Sequence, residues 1–181
     1  MYKFFLALTL SAAIIHCVLS TCLEEVVLPD LYLRGQASNK CVGVHGYNLD
    51  NGGVTDMWDC VRGAYNEIWH YKFIKYQDIN QYQLISTSSR KCLTAGSGGG
   101  NLATVTQNDC SSLAVNQLWY PRLNASVPAY FQLIGAEGQR CLTALGTFNG
   151  ARLVLYDCLG WSWGGQLWHS DIGNISTTTA G

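Results

Sequence analysis

The 181-residue chain carries 11 Lys and Arg against 12 Asp and Glu, a net charge of −1, and only 13% of its residues are charged. With no Lys/Arg cluster, this balance excludes a basic surface for nucleic acid and any strong pull toward anionic membranes. Nineteen Gly, three Pro, six Trp and ten Tyr fit one domain of many short strands joined by Gly-rich turns.

Residues 1–20 differ from the rest. Lys3 precedes the apolar run FFLALTLSAAIIHCVL, and Val18 and Ser20 stand at the −3 and −1 positions of a cleavage site before Thr21. The pattern predicts a secretory signal peptide. A membrane anchor would need ~20 apolar residues, whereas this run ends at Leu19 and is broken by Thr9, Ser11 and His16. Leu19-Ser20-Thr21-Cys22 fits a lipoprotein box poorly, because Thr precedes the Cys. Secretion permits disulfides. Cys17 leaves with the signal, so seven of the eight Cys remain: Cys22, Cys41, Cys60, Cys92, Cys110, Cys141 and Cys158.

From residue 33 the chain repeats itself. LRGQASNKCVGV (33–44), LISTSSRKCLTA (84–95) and LIGAEGQRCLTA (133–144) share a Leu eight residues before a Cys and a Lys or Arg directly before it. Each first Cys is followed 19, 18 or 17 positions later by an Asp-Cys pair: Asp59-Cys60, Asp109-Cys110, Asp157-Cys158. A Trp then follows at 69, 119 and 168, two residues after Glu67, Gln117 and Gln166. The segments YQLISTS (82–88), ATVTQNDC (103–110) and ARLVLYDC (151–158) alternate as strands do. DNGG (50–53) and GSGGGN (96–101) predict turns, and no stretch has a helical period.

Three units of about 50 residues are too few for a solenoid with raw ends. They predict closure about a pseudo-threefold axis, which removes exposed sheet edges. The three Trp would fill a shared interior, and the Gln or Glu before each would bond turn backbone left out of the ladders. Six Cys allow fifteen connectivities. The repeat selects the local one, Cys41–Cys60, Cys92–Cys110 and Cys141–Cys158, each loop contributing about 3 kcal/mol.

Three units, two ending in Gln-x-Trp and the first in Glu-x-Trp, each with a Cys…Asp-Cys pair, resemble the ricin B-type lectin domain over about residues 27–171. The resemblance implies an all-β fold, a β-trefoil of three pseudo-symmetric units. It also implies a six-stranded barrel capped by three hairpins, and up to three shallow sugar pockets. In that family an Asp two residues after the first Cys accepts bonds from ring hydroxyls. An aromatic two residues before the second Cys stacks on the sugar, a polar residue stands two before the aromatic, and an Asn precedes the Gln. Sugars suit such sites because they offer flat C–H faces to rings and hydroxyls to carboxylates and amides.

Carried over, the Asp position holds Gly43, Thr94 and Thr143, so every copy lacks the carboxylate. The stacking position holds Trp58, Asn108 and Tyr156, the polar position Asp56, Thr106 and Val154, and the Asn position Asn66, Asn116 and Gly165. Copy one is the leading candidate, with Asp56, Trp58 and Asn66, and Asp50 in the neighbouring turn as a replacement carboxylate. Copy three offers Tyr156, with Trp161 and Trp163 nearby. CLTA in copies two and three resembles family repeats that keep the fold and lose the sugar.

The expected function is a secreted, non-catalytic lectin for galactose-like glycans or glycoproteins. The alternatives are a trefoil that has lost sugar binding and docks proteins, or a targeting subunit of a toxin or enzyme. Cys22 has no partner in the repeat. By analogy with two-chain toxins it is the candidate for a disulfide to a partner chain or a second copy. Asn124-Ala-Ser and Asn174-Ile-Ser are glycosylation sequons, and residues 172–181 read as a disordered tail. His45, His70 and His169 are isolated, Asp59, Asp109 and Asp157 recur as structure does, and no metal or cofactor motif is present.

Overall fold

The computed structural model describes residues 30–76 and 79–172. The predicted signal peptide, Cys22 and Asn174 lie outside the described residues. Among those described, twelve strands form one antiparallel sheet system. They are β1 Leu31–Gly35, β2 Cys41–Val44, β3 Gly53–Trp58 and β4 Ile68–Tyr76; β5 Ile79–Ser86, β6 Cys92–Thr94, β7 Thr106–Asn108 and β8 Trp119–Leu123; and β9 Phe131–Gly135, β10 Cys141–Ala144, β11 Ala151–Tyr156 and β12 Trp168–Ile172. The last strand takes in Ile172, which the sequence assigned to the tail. The described helices are 3-10 turns of three residues each, and none is long and apolar enough to cross a membrane.

Pairing explains the shape. β1 pairs β4, β4 pairs β5, β5 pairs β8, β8 pairs β9, β9 pairs β12, and β12 returns to β1. That ring closes a barrel and leaves its strands without a free edge. The remaining strands form the hairpins β2–β3, β6–β7 and β10–β11, which pair with each other through β3–β7 and β3–β11. The result is a β-trefoil.

The barrel interior is filled by Trp69, Trp119 and Trp168, none with any exposed surface, together with Leu33, Leu84 and Leu133. A buried indole N–H needs an acceptor. Trp69, Trp119 and Trp168 donate Nε1–H to the carbonyls of Val42, Leu93 and Leu142 at 2.9, 3.0 and 3.1 Å. Each bond hooks a barrel strand to the first strand of its hairpin.

Gln117 and Gln166 sit in the 3-10 turns before their Trp, not within strands, because they serve turn backbone. Gln117 Nε2 donates to the Asp109 carbonyl and its Oε1 accepts from Ser111 N–H, at 2.9 and 2.8 Å. Gln166 does the same with the Asp157 carbonyl and Leu159 N–H, at 2.9 and 2.8 Å. Glu67 retains the accepting half, taking Val61 N–H at 2.8 Å. The disulfides are Cys41–Cys60, Cys92–Cys110 and Cys141–Cys158, the local pairing that the repeat selects.

The recurring Asp also finds a reason. Asn51 Nδ2 donates to Asp109 at 2.7 Å, Asn101 to Asp157 at 2.8 Å, and Asn149 to Asp59 at 2.8 Å. Each Asn Oδ1 accepts the same Asp's N–H in return. Every hairpin thus grips the next, and Lys40, Lys91 and Arg140 pair with Asp59, Asp109 and Asp157 within each unit. The Gly-rich turn at 96–101 allows close approach: a Cβ on Gly138 would lie 2.4 Å from the Gly99 carbonyl oxygen.

Trp119→Ala should lower the unfolding free energy by about 3–5 kcal/mol, and Cys92→Ala with Cys110→Ala by about 3 kcal/mol, both measured by urea denaturation.

Candidate functional site

The first unit contains a cavity of about 260 Å³ between the β2–β3 hairpin and the turn Tyr65–Glu67, lined by His45, Tyr47, Asp56, Trp58, Asn66 and Glu67 among others. Three sequence-predicted residues, Asp56, Trp58 and Asn66, meet here. The connecting turn His45–Tyr47 carries both Gly46 (φ 60°) and Tyr47 (φ 55°) in the left-handed region. Such a conformation is uncommon for a bulky residue, and Tyr47 remains 60% exposed.

Asp56 faces Gly43 in the β2–β3 register. Cross-strand partners share a face, so the carboxylate stands opposite the position where the family's Asp is missing. Its side chain is 5% exposed, and Oδ2 lies 2.6 Å from His45 Nδ1. Burial pushes the Asp56 carboxyl above its ordinary 3.8, outweighing the lowering by His45.

Trp58 ends β3 and is 43% exposed. Asn66 Nδ2 donates to the Val44 carbonyl at 3.1 Å, while its buried Oδ1 has no partner among the described residues. Glu67 is buried, and burial raises its carboxyl first, with the charges of Asp59 and Asp56 adding to the effect.

Asp50 does not line this cavity. It sits in the turn before β3, where its carbonyl accepts Gly53 N–H at 3.3 Å and Gln107 Nε2 at 3.2 Å. The cross-unit bond from Gln107 holds that turn toward the second unit, and the aspartate that lines the cavity is Asp56. His45, Tyr47 and Glu67 were missed by sequence reasoning. Only Glu67 carried a signal, as the one acid among three Gln-x-Trp positions.

The other units differ. In the second, Asn108 Nδ2 donates to Thr106 Oγ1 at 3.1 Å, Asn108 Oδ1 accepts Gly52 N–H at 3.1 Å, and Asn116 Nδ2 donates to the Ala95 carbonyl at 3.2 Å. Those polar groups are occupied by protein. The third unit has a cavity of about 320 Å³ lined by Ala37, Ala144, Leu145, Gly146, Thr147, Trp163, Gly164 and Gly165. Tyr156 pairs with Cys141 as Trp58 does with Cys41, but it is half-buried and does not line this cavity. Trp163 is the aromatic there. A Cβ at Gly165 would fall 2.8 Å from its ring, so the missing Asn makes room for the indole. Trp161 instead lies under Arg122, 5.5 Å from ring centroid to guanidinium. Among the described residues no cluster of His, Cys, Asp and Glu is arranged to hold a metal ion.

Titration should separate the aspartates. Folded Asp56 holds its proton more tightly than the unfolded chain does. Its contribution to stability is therefore present below the unfolded pKa and lost as pH rises through the folded one. Asp59 and Asp109 behave oppositely. Hydrogen bonds from Lys40 and Asn149, and from Lys91 and Asn51, hold them below 3.8, so their contribution is lost as pH falls through the folded value. Carboxyl ¹³C NMR should place the Asp56 midpoint above 3.8 and the other two below it; an Asp56 midpoint below 3.8 contradicts this account.

Comparison with known proteins places this geometry in a family. The ricin-type beta-trefoil lectin domain matches residues 30–127, more than half of the chain. No curated protein matches it by sequence. Among solved structures the chain is similar to ThreeFoil, a designed 3-fold symmetric protein, at 22% identity and TM-score 0.68, covering 78% of this chain and 96% of that one. It is similar to the Rhizoctonia solani agglutinin at 16% identity and TM-score 0.63, covering 79% and 94%. It is also similar to the Polyporus squamosus lectin, solved with Neu5Aca2-6Galb1-4GlcNAc, at 11% identity and TM-score 0.64, covering 78% and 48%. Identities this low speak for the fold alone. The family rests on the sequence match, whose residues contain the first-unit cavity: the chain belongs to the ricin-type β-trefoil lectin domain family.

Proposed function

We propose that the protein is a secreted, non-catalytic lectin that holds a galactose-like sugar in the first-unit cavity. One observation carries the reading: a buried carboxylate, a side-chain amide and an exposed indole line one cavity at Asp56, Asn66 and Trp58. The ring takes the apolar C–H face of a sugar, and the oxygens take its hydroxyl donors. A single shallow site of this kind binds in the millimolar range, about −4 kcal/mol. The three units act as repeats about a pseudo-threefold axis, of which the first is the binding one.

Three disulfides suit an oxidising compartment, which supports secretion through a signal at residues 1–20. Asn124, whose Oδ1 caps Ser126 N–H in the connection after β8, and Asn174 are the proposed glycosylation sites. Cys22 is the proposed attachment point for a second copy or a partner chain, and two linked pockets would raise avidity. A single monomer band on both reducing and non-reducing gels would remove that bridge. A second reading, protein docking, is favoured by the exposed Leu145, Phe148 and Trp163 beside the third-unit cavity.

A glycan array decides between the two. Binding should be lost, by tenfold or more (about 1.4 kcal/mol), in both Trp58→Ala and Asp56→Asn. An array on which no glycan binds at any density rejects the lectin reading and leaves protein docking.

A further inference from the structure

The first-unit cavity differs from its counterparts in its floor. In the second unit Thr94 Oγ1 accepts from Gln117 Nε2 at 3.3 Å, and in the third Thr143 Oγ1 accepts from Gln166 Nε2 at 2.9 Å. Each Thr also donates to the carbonyl two residues back, Cys92 or Cys141. A side chain, its hydroxyl and an amide therefore fill and satisfy the space under the hairpin.

Both members of that pair change in the first unit, to Gly43 and Glu67. A Cβ at residue 43 would lie 3.2 Å from Glu67 Cγ and 3.6 Å from Asn66 Nδ2, so the absent side chain lets both pack close against the strand at the edge of the cavity that they line. Glu67 Oε2 still accepts Val61 N–H. Its other oxygen replaces an amide donor, and an ionised carboxylate has nothing to donate.

The floor is thus made of acceptors: the Glu67 carboxylate, the Asp56 carboxylate opposite Gly43, and Asn66 Oδ1. The last is an independent sign of a missing ligand. Asn66 is only 9% exposed, lines the cavity, and leaves this oxygen unpaired among the described residues. The nearby basic side chains are His45, on Asp56; Lys40, held by Asp59; and the exposed side chains of Arg62 and Arg152, the latter beside Asp56 in the β3–β11 register. No ion pair from these side chains reaches Glu67 among the described residues.

We propose that Gly43 and Glu67 make this pocket selective for an amino sugar, whose free ammonium group rests on the Glu67 and Asp56 carboxylates. The inference rests on the glycan reading. Burial raises both carboxyls, and a bound cation offsets the cost that burial imposes on their charged forms. Charge-assisted bonds are about twice as strong as neutral ones, and an N-acetyl group gives up the charge.

Calorimetric titration of the full chain near neutral pH, with galactosamine and glucosamine against galactose, glucose and the N-acetyl sugars, provides the test. The free amines should bind about tenfold tighter than their neutral parents. Glu67→Gln restores the residue that the other two units already accommodate, so the fold is retained. It should reduce the preference to about twofold or less. Gly43→Thr combined with Glu67→Gln should close the floor and abolish binding of amine and neutral sugars alike. Equal affinity for amine and neutral sugars, or a preference that survives Glu67→Gln, overturns the inference and leaves the lectin reading standing. Failure of every sugar to bind overturns the lectin reading, and this inference with it.

Discussion

Three buried indole N–H groups organise the molecule. Each Trp lies wholly inside the barrel, and each must place one polar hydrogen on an acceptor or pay an unmet hydrogen bond. The acceptor in every unit is a carbonyl on the first strand of the adjoining hairpin, at Val42, Leu93 or Leu142. The hydrophobic core therefore sets where the hairpins stand. The first-unit cavity lies between one of those hairpins and the turn Tyr65–Glu67, so the site inherits its position from the core.

A second layer of constraint runs around the cap. The hairpins share a buried apolar cluster that includes Val42, Met57, Leu93, Leu142, Leu153 and Leu155, and the Asn–Asp pairs add paired hydrogen bonds between them: Asn51 to Asp109, Asn101 to Asp157, Asn149 to Asp59. The basic residue before each first Cys then meets the same Asp. The disulfide beside each contact ties the strand to the turn that carries it. This keeps β3 and β11 together, and with them Trp58 near Gly150, where a Cβ would touch the ring at 3.9 Å.

Much of this was legible along the chain. The spacing of Cys, Asp and Trp marks three units, and local disulfides follow because each pair closes a short loop within one unit. The Trp positions are readable as core because a large apolar residue recurring once per unit has one shared interior to fill. The Gln positions are readable as turn-binding, although they lie in 3-10 turns. The Asn partners of Asp59, Asp109 and Asp157 were not legible, since they come from other units, 56 to 90 positions away.

The site divides in the same way. Asp56, Trp58 and Asn66 are named by offsets from Cys and Gln-x-Trp landmarks, and those offsets hold because strands and turns of fixed length separate them. Asp50 and Tyr156 have suitable chemistry and sequence position, yet the turn that carries Asp50 is held through its carbonyl by Gln107, and neither residue lines the cavity of its unit. By itself the sequence determined the repeat, the disulfides and the buried Trp, because each is a local or periodic property of the chain. Only the tertiary structure decided that Asp56 stands opposite Gly43, that His45 pairs with it, and that Glu67 floors the cavity. Cross-strand register and the packing of a turn beneath a hairpin bring those groups together, and neither is set by distance along the sequence.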